Sequence, residues 1–223
     1  HSMPGGYTAG FYRKGYYFES GTVGLEASAS VFKVMEEIGV LDKIDFVKKK
    51  NRFFSEDFDG TPENFDEYKK MIYEGFPSDK EKLDKFFSDI DKISVMYEDF
   101  DKPMPFLYNG LDRIKSMVPY ILSGPKLIRL EKQYGNMTSS ELAARYFEKD
   151  SKLFRLYRGS GYADALALFV AGGLSAMFKD MWTVKGGMQS WADVLAENFR
   201  ELGGDLKLNS YVDKIITKNG AAV

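Results

Sequence analysis

Two glycine doublets are the parts of this 223-residue sequence whose type and setting best suit chemistry. Pro4-Gly5-Gly6 stands directly before a predicted strand, and Gly186-Gly187 directly before a predicted helix. Glycine has no Cβ, so at both places the backbone can approach a bulky, flat or phosphorylated group closely. Gly159-Ser160-Gly161 opens like a dinucleotide loop. It follows a helix-like segment rather than a strand, however, and Asp164 stands where the third glycine belongs. It reads as an interhelical turn.

Other chemistries are excluded by composition. The single histidine is His1, within an opening His1-Ser2-Met3 that reads as an expression-vector scar, and there is no cysteine. Histidine triads, HExxH metal sites, thiol nucleophiles and cysteine-based zinc sites are therefore out. Any reaction must draw on a cofactor, or on carboxylates, lysine or tyrosine. The net charge of −2 gives no basic excess for nucleic acid. The basic run Lys48-Lys49-Lys50-Asn51-Arg52 reads as a solvated hairpin tip between Phe46-Val47 and Phe53-Phe54, with contact to a phosphate or lipid headgroup as the rival reading. Asp57-Phe58-Asp59-Gly60 lacks the full oxygen spacing of a calcium loop. The most apolar stretch, Ala163–Phe178, carries Asp164 and Gly172-Gly173 and reads as a buried helix rather than a membrane span. The lack of cysteine is compatible with a reducing, cytoplasmic setting.

The elements that must position the doublets follow from periodicity. Tyr7–Tyr12 and Tyr16–Glu19 read as strands joined by a tight turn at Lys14-Gly15. A helix is expected from about Gly24 to Ile38, with apolar residues at three- and four-residue spacing and Gly39 as its stop. Ser78 and Glu81 have the spacing of a capping box before a helix whose apolar stripe is Leu83, Phe86, Phe87, Ile90 and Ile93. On that helix Asp84, Lys85, Asp89 and Asp91 are expected on the solvated side. A helix over Leu111–Leu122 should bend or end near Pro119, with a separate one over Leu127–Tyr134. Thr138 with Glu141 forms a second capping box, opening a helix through Phe147. Further helices are expected over Lys152–Arg158, Tyr162–Phe178 and Ser190–Leu202. Leu206–Leu208 and Tyr211–Thr217 read as strands, with Asn219-Gly220 as a hairpin turn.

The order of these pieces resembles the phytoene desaturase, carotenoid isomerase and retinol saturase-like family of FAD-dependent oxidoreductases. The resembling residues are Pro4-Gly5-Gly6-Tyr7-Thr8, Lys14–Gly21, Gly75-Phe76-Pro77, Val184–Met188, Gly203-Gly204 and Val212–Ile215. The resemblance implies a flavin domain interrupted by a substrate domain, and this chain would be an internal piece lacking the Gly-x-Gly-x-x-Gly segment, inactive in isolation. It implies that Gly5 and Gly6 run beside the flavin diphosphate, that Gly21 lies near the isoalloxazine ring, and that the backbone of Val212 pairs with the adenine edge. Gly186, Gly187 and Met188 would form the loop returning the chain to the flavin domain. Met188, Trp182 and Phe178 are expected to line an apolar substrate, with Phe86, Phe87 and Phe169 as further wall candidates.

The expected fold is α+β: a mainly helical lobe packed on a small mixed or antiparallel sheet. Expected segments are the scar at 1–3, a flavin-domain edge at 4–21, a helical substrate domain at 22–181 and a return segment at 182–223. The expected reaction is desaturation, saturation or isomerisation of an isoprenoid-like or carotenoid-like small molecule. An amine substrate, and a non-enzymatic lipid-binding helical module, stand as alternatives. Peripheral membrane contact and a homodimer are compatible with the sequence.

Overall fold

The computed structural model describes residues 1–95, 102–159 and 165–222. The Gly159-Ser160-Gly161 turn and the start of the apolar stretch at Ala163 fall in part outside those residues. The fold is α+β, mainly helical with small antiparallel sheets. Two compact units are present. Unit 1 is His1–Gly24, Met35–Val47 and Thr183–Val223; unit 2 is Leu25–Val34 and Lys48–Trp182.

Unit 1 begins with a 3-10 turn at Gly6–Thr8, then β1 (Gly10–Arg13) and β2 (Tyr16–Glu19), paired antiparallel from Gly10↔Glu19 to Arg13↔Tyr16. Lys14 and Gly15 both have positive φ, +51° and +81°, the two-residue turn whose twist matches a hairpin. The unit's other long element is α8 (Met188–Glu201). Its residues Met188, Ala192 and Ala196 are buried, as are Met35, Val40, Ile44 and Val184 of the same unit. The Trp191 indole packs edge-on against Phe46. Of the two strands expected over 206–217, only Thr217–Lys218 (β7) is present, paired with Ala221–Ala222 (β8) across Asn219-Gly220. Val212, Ile215 and Ile216 are exposed and have no ladder partner, so the alternation of apolar residues there is not sufficient to make a strand.

Unit 2 holds the larger core. Helices α2 (Phe65–Gly75), α3 (Lys80–Ser94), α5 (Ser139–Ala144), α6 (Lys152–Tyr157) and α7 (Ala167–Lys179) enclose it. The α3 stripe is buried as its spacing requires, with Leu83, Phe86, Phe87, Ile90 and Ile93 at most 2% exposed. Phe86 and Phe87 are thus core, not substrate wall. The Tyr68 and Tyr157 hydroxyls meet at 3.1 Å inside this cluster. Burial pushes the Tyr68 phenol to about 12 and the Tyr157 phenol well above its ordinary value, so both stay neutral.

Several local expectations are corrected. Helix α1 is Ser28–Glu37, starting later than Gly24 because Leu25 is drawn into a backbone bridge with Trp182. The Ser78–Glu81 box does not form; Pro77 opens a 3-10 turn over Pro77–Asp79, and α3 starts beyond it. The Thr138–Glu141 box does form, with both reciprocal bonds. Helix α4 runs unbroken from Gly110 to Tyr134, containing Pro119 and Pro125. Each proline removes one backbone bond, but 25 residues of helix hold the direction. Phe46 and Phe53 lie on strands that do not pair with each other: β3 (Phe46–Lys48) neighbours β6 (Trp182–Val184), while β4 (Phe53–Phe54) pairs with β5 (Asp59–Gly60). Arg52 forks onto Asp59 with two bonds of 2.8 and 2.6 Å, which pins that second pairing. The lysine run is therefore no hairpin tip. Among the described residues, no helix is long and apolar enough to cross a membrane.

Asp89, expected on the solvated face of α3, is buried at 6% exposure. It accepts from the Tyr146 hydroxyl at 2.6 Å and the Lys92 ammonium at 2.8 Å. Burial pushes its pKa up, but hydrogen bonds from Lys92, Tyr146 and Tyr134 outweigh that and hold it below the usual carboxylate value. A lowered folded pKa stabilises above the unfolded value of about 4 and loses that contribution as pH falls through the folded value. Asp89→Asn is expected to cost about 2 kcal/mol at neutral pH and to flatten the acid limb of a stability-versus-pH curve below about pH 4. Urea titrations across that range check it; an unchanged acid limb would remove Asp89 from the account.

Candidate functional site

The two glycine doublets come together in unit 1, through residues to which the sequence assigned no role. The Glu19 carboxylate, at the end of β2, accepts the Met188 N–H at 2.9 Å and the Tyr17 hydroxyl at 3.0 Å. The Gln189 N–H donates to the Tyr17 oxygen at 3.3 Å. The Gln189 side chain accepts from the Gly10 N–H at 3.0 Å and donates to the Pro4 carbonyl at 3.2 Å and to Asp193 at 2.7 Å. The β1–β2 hairpin, the Pro4-Gly5-Gly6 turn and the start of α8 are thereby fixed to one another.

Two of these bonds satisfy the Met188 and Gln189 amides at the α8 N-terminus, which has no side-chain cap of its own. A carboxylate at that end is also favoured by the helix dipole. Met188 and Gln189 N–H groups are spent inside the protein, so this terminus does not cradle a phosphate. Burial lifts the Tyr17 phenol above its ordinary pKa and the Glu19 carboxylate adds to that, against the opposing bond from Gln189. Tyr17 thus stays protonated as the donor to Glu19.

Each doublet divides its labour. Gly5 has φ +113°, and a Cβ there would sit 3.1 Å from the Ala192 Cβ. Gly187 has φ +99°, and its Cβ would fall 2.4 Å from the Tyr17 ring. Gly6 and Gly186, at φ +56° and +84°, would have nothing within 4 Å of a Cβ. One glycine of each pair packs inward; the other leaves open backbone. Beside Gly5 lies an apolar cleft of about 360 Å³ lined by Pro4, Thr8, Trp191, Leu195, Phe199 and Leu206 among others. Gly21 is close to Tyr7, whose ring would lie 3.0 Å from an added Cβ. Val212 lies in unit 1 and is 68% exposed.

The three residues expected on a substrate wall belong to different units. Met188 is wholly enclosed in unit 1, its thioether 3.9 Å from the Thr183 hydroxyl. Trp182 belongs to unit 2, where its indole N–H donates to Asp180 at 2.9 Å and its ring meets Phe32 edge-on. The Asp180 carboxylate also accepts from the Ser28 N–H at 2.8 Å and from the Ser28 hydroxyl, so this group anchors the start of α1. Burial and then the Asp180 charge raise the pKa of Glu26 nearby. Phe178, also in unit 2, stacks on Phe53 and borders a cavity of about 240 Å³ walled by Lys48, Lys49, Lys50, Asn51 and Glu63. That wall is polar, with Lys50 on Glu63 at 3.4 Å and the Asn51 amide on the Met177 carbonyl at 3.3 Å.

The signal that could have found Tyr17, Glu19 and Gln189 is positional. Glu19 ends a hairpin strand otherwise rich in aromatics, and Gln189 is the second residue of a helix that follows glycine. No curated protein matches the chain in sequence. The family model for flavin-containing amine oxidoreductases matches residues 2–223, a span that takes in the hairpin, both doublets and all of α8. The chain belongs to the flavin-containing amine oxidoreductase family.

Proposed function

We propose that unit 1 offers the backbone at Gly5-Gly6 and Gly186-Gly187 to FAD, and that the enzyme acts on an apolar, isoprenoid-like or carotenoid-like substrate by desaturation, saturation or isomerisation. The observation that carries the cofactor half is the open, left-handed backbone at Gly6 and Gly186, set by the inward packing of Gly5 and Gly187. A flat group can approach there without meeting a side chain. In this reading Gly21 stands near the ring system and Val212 offers its backbone to the adenine edge. When bound, FAD supplies the hydride and electron chemistry. The protein's share is to hold the doublets at fixed separation through Glu19, Tyr17 and Gln189, and to keep the Tyr17 proton in place.

The substrate half rests on the ordered motifs Pro4–Thr8, Lys14–Gly21 and Val184–Met188. An amine substrate is the second reading, favoured by the family's own description. No stretch of this sequence has the Gly-x-Gly-x-x-Gly spacing, so the 223 residues alone are expected to hold flavin weakly and to turn over nothing.

The test is visible flavin absorbance after desalting, on this chain and on a polypeptide in which a dinucleotide-binding strand, turn and helix precede residue 4. Retained colour in the longer chain only, reduced about tenfold by Gly6→Ala with Gly186→Ala, supports the cofactor reading. A colourless longer chain under saturating FAD sinks it. Anaerobic bleaching by a polyene but not by a primary amine decides the substrate class, and the reverse result selects the amine.

A further inference from the structure

Helix α4 is apolar on the wrong side. Its inward face is Leu130 and Tyr134, with Ser116, Ser123 and Leu127 half-buried. Opposite them Leu111, Ile114, Val118, Ile121, Leu122 and Ile128 share one helix face, with Pro125 in the gap before Ile128, and each of the six is between 46% and 77% exposed. Over these seventeen steps the stripe is about 26 Å long. Phe106, in the turn just before α4, is exposed as well. Contiguous apolar surface of this kind marks a contact with something that is not water.

The charge on the helix says what that is. Residues 110–134 carry Arg113, Lys115, Lys126, Arg129 and Lys132 against Asp112 and Glu131, in a chain whose net charge is −2. By helical rotation Lys115 and Lys126 border one edge of the apolar stripe, while Arg129 and Lys132 continue its face beyond Ile128; Lys126 and Arg129 also line a groove shared with Asp84 and Asp91. Apolar residues flanked by basic ones suit a helix lying flat on an anionic lipid surface, its side chains in the acyl boundary and its cations among the headgroups. The helix is not apolar enough to cross a bilayer, so it lies along the surface. A second copy of the chain fits less well in an antiparallel two-fold pair, which sets the same basic edges of α4 against each other.

We infer that α4 is a peripheral docking helix for anionic membranes. The inference stands apart from the flavin reading, because stripe and charge belong to α4 alone.

The experiment is co-sedimentation of the chain with vesicles of phosphatidylcholine, alone and mixed with phosphatidylglycerol. Binding to the mixed vesicles is expected, weakened by added salt. Ile121→Glu with Leu122→Glu is expected to weaken it at least about tenfold, and Lys126→Gln with Arg129→Gln on the order of fivefold per charge removed. Thermal unfolding should not change, since all four side chains face solvent. Equal binding by wild type and the Ile121/Leu122 variant overturns the inference, as does no binding to mixed vesicles. A concentration-dependent dimer in ultracentrifugation, abolished by that same variant, also overturns it by assigning the stripe to a second copy.

Discussion

Phe86→Ala is expected to lower the unfolding free energy by about 3–5 kcal/mol. Phe86 is 1% exposed and meets four other rings. Its centroid is 4.5 Å from Tyr157, 5.1 Å from Phe147, 5.6 Å from Phe87 and 6.0 Å from Tyr146. Alanine removes the transfer free energy of the ring and leaves a cavity that fixed neighbouring helices cannot fill. The lost ring contacts add roughly 0.5–1.5 kcal/mol each where geometry is good, and they do not add fully. Since whole domains hold only about 5–15 kcal/mol, the variant should be marginal at 37 °C. Urea unfolding followed by tyrosine and tryptophan fluorescence measures it, with Phe54→Ala on the 75% exposed β4 residue as a control within about 0.5 kcal/mol. A cost for Phe86→Ala below about 1 kcal/mol would mean that the cluster is loosely packed.

Gly187→Ala is expected to destabilise unit 1 by about 3 kcal/mol, with Gly186→Ala next to it costing only about 1. Both glycines have positive φ, so both substitutions strain the backbone. They differ in what the new methyl meets. At 186 it meets nothing, whereas at 187 it falls 2.4 Å from the Tyr17 ring. The ring must swing away, taking its hydroxyl from Glu19 and from the Gln189 amide. The Gln189 N–H at the start of α8 then loses its acceptor inside the protein. Adding Tyr17→Ala to Gly187→Ala should recover the steric part of the loss and leave the backbone part, a coupling that a double-mutant cycle reads directly. Faster hydrogen exchange at Gln189 in Gly187→Ala, unmatched in Gly186→Ala, is the second readout. Equal costs at 186 and 187 would contradict the packing described for Tyr17.

Where structure was legible in the sequence, the cause lay within a few residues. The Lys14-Gly15 turn fixes its own twist, the Thr138–Glu141 box closes within one turn, and the α3 stripe is a matter of spacing. Where a competing local signal stood alongside, the outcome could not be ranked from the sequence. Pro77 beat the Ser78–Glu81 spacing, and the length of α4 beat Pro119. Pairings decided at long range were not legible. Phe46 and Phe53 are seven residues apart and read as one hairpin, yet one strand's partner is Trp182–Val184 and the other's is Asp59–Gly60. The α+β class came through because it depends on the balance of patterns rather than on any one pairing. In the candidate site the glycines were visible, because a missing Cβ is a property of the residue itself. Tyr17, Glu19 and Gln189 were not, because their roles exist only after sequence positions some 170 apart have met.

That separation bears on the order of folding. The Glu19–Met188 bond joins residues 169 positions apart. Closing an unstructured loop of that length costs about 4–5 kcal/mol, more than one charge-assisted hydrogen bond returns. Leu25 and Trp182, the first and last residues of unit 2, exchange two backbone bonds of 2.8 and 3.0 Å. With that bridge formed, the loop between Glu19 and Met188 shortens to about a dozen residues and its closure cost to about 2 kcal/mol. The Glu19–Met188 bond is therefore expected to form after the Leu25–Trp182 bridge, with amide protection at Met188 lagging that at Leu25.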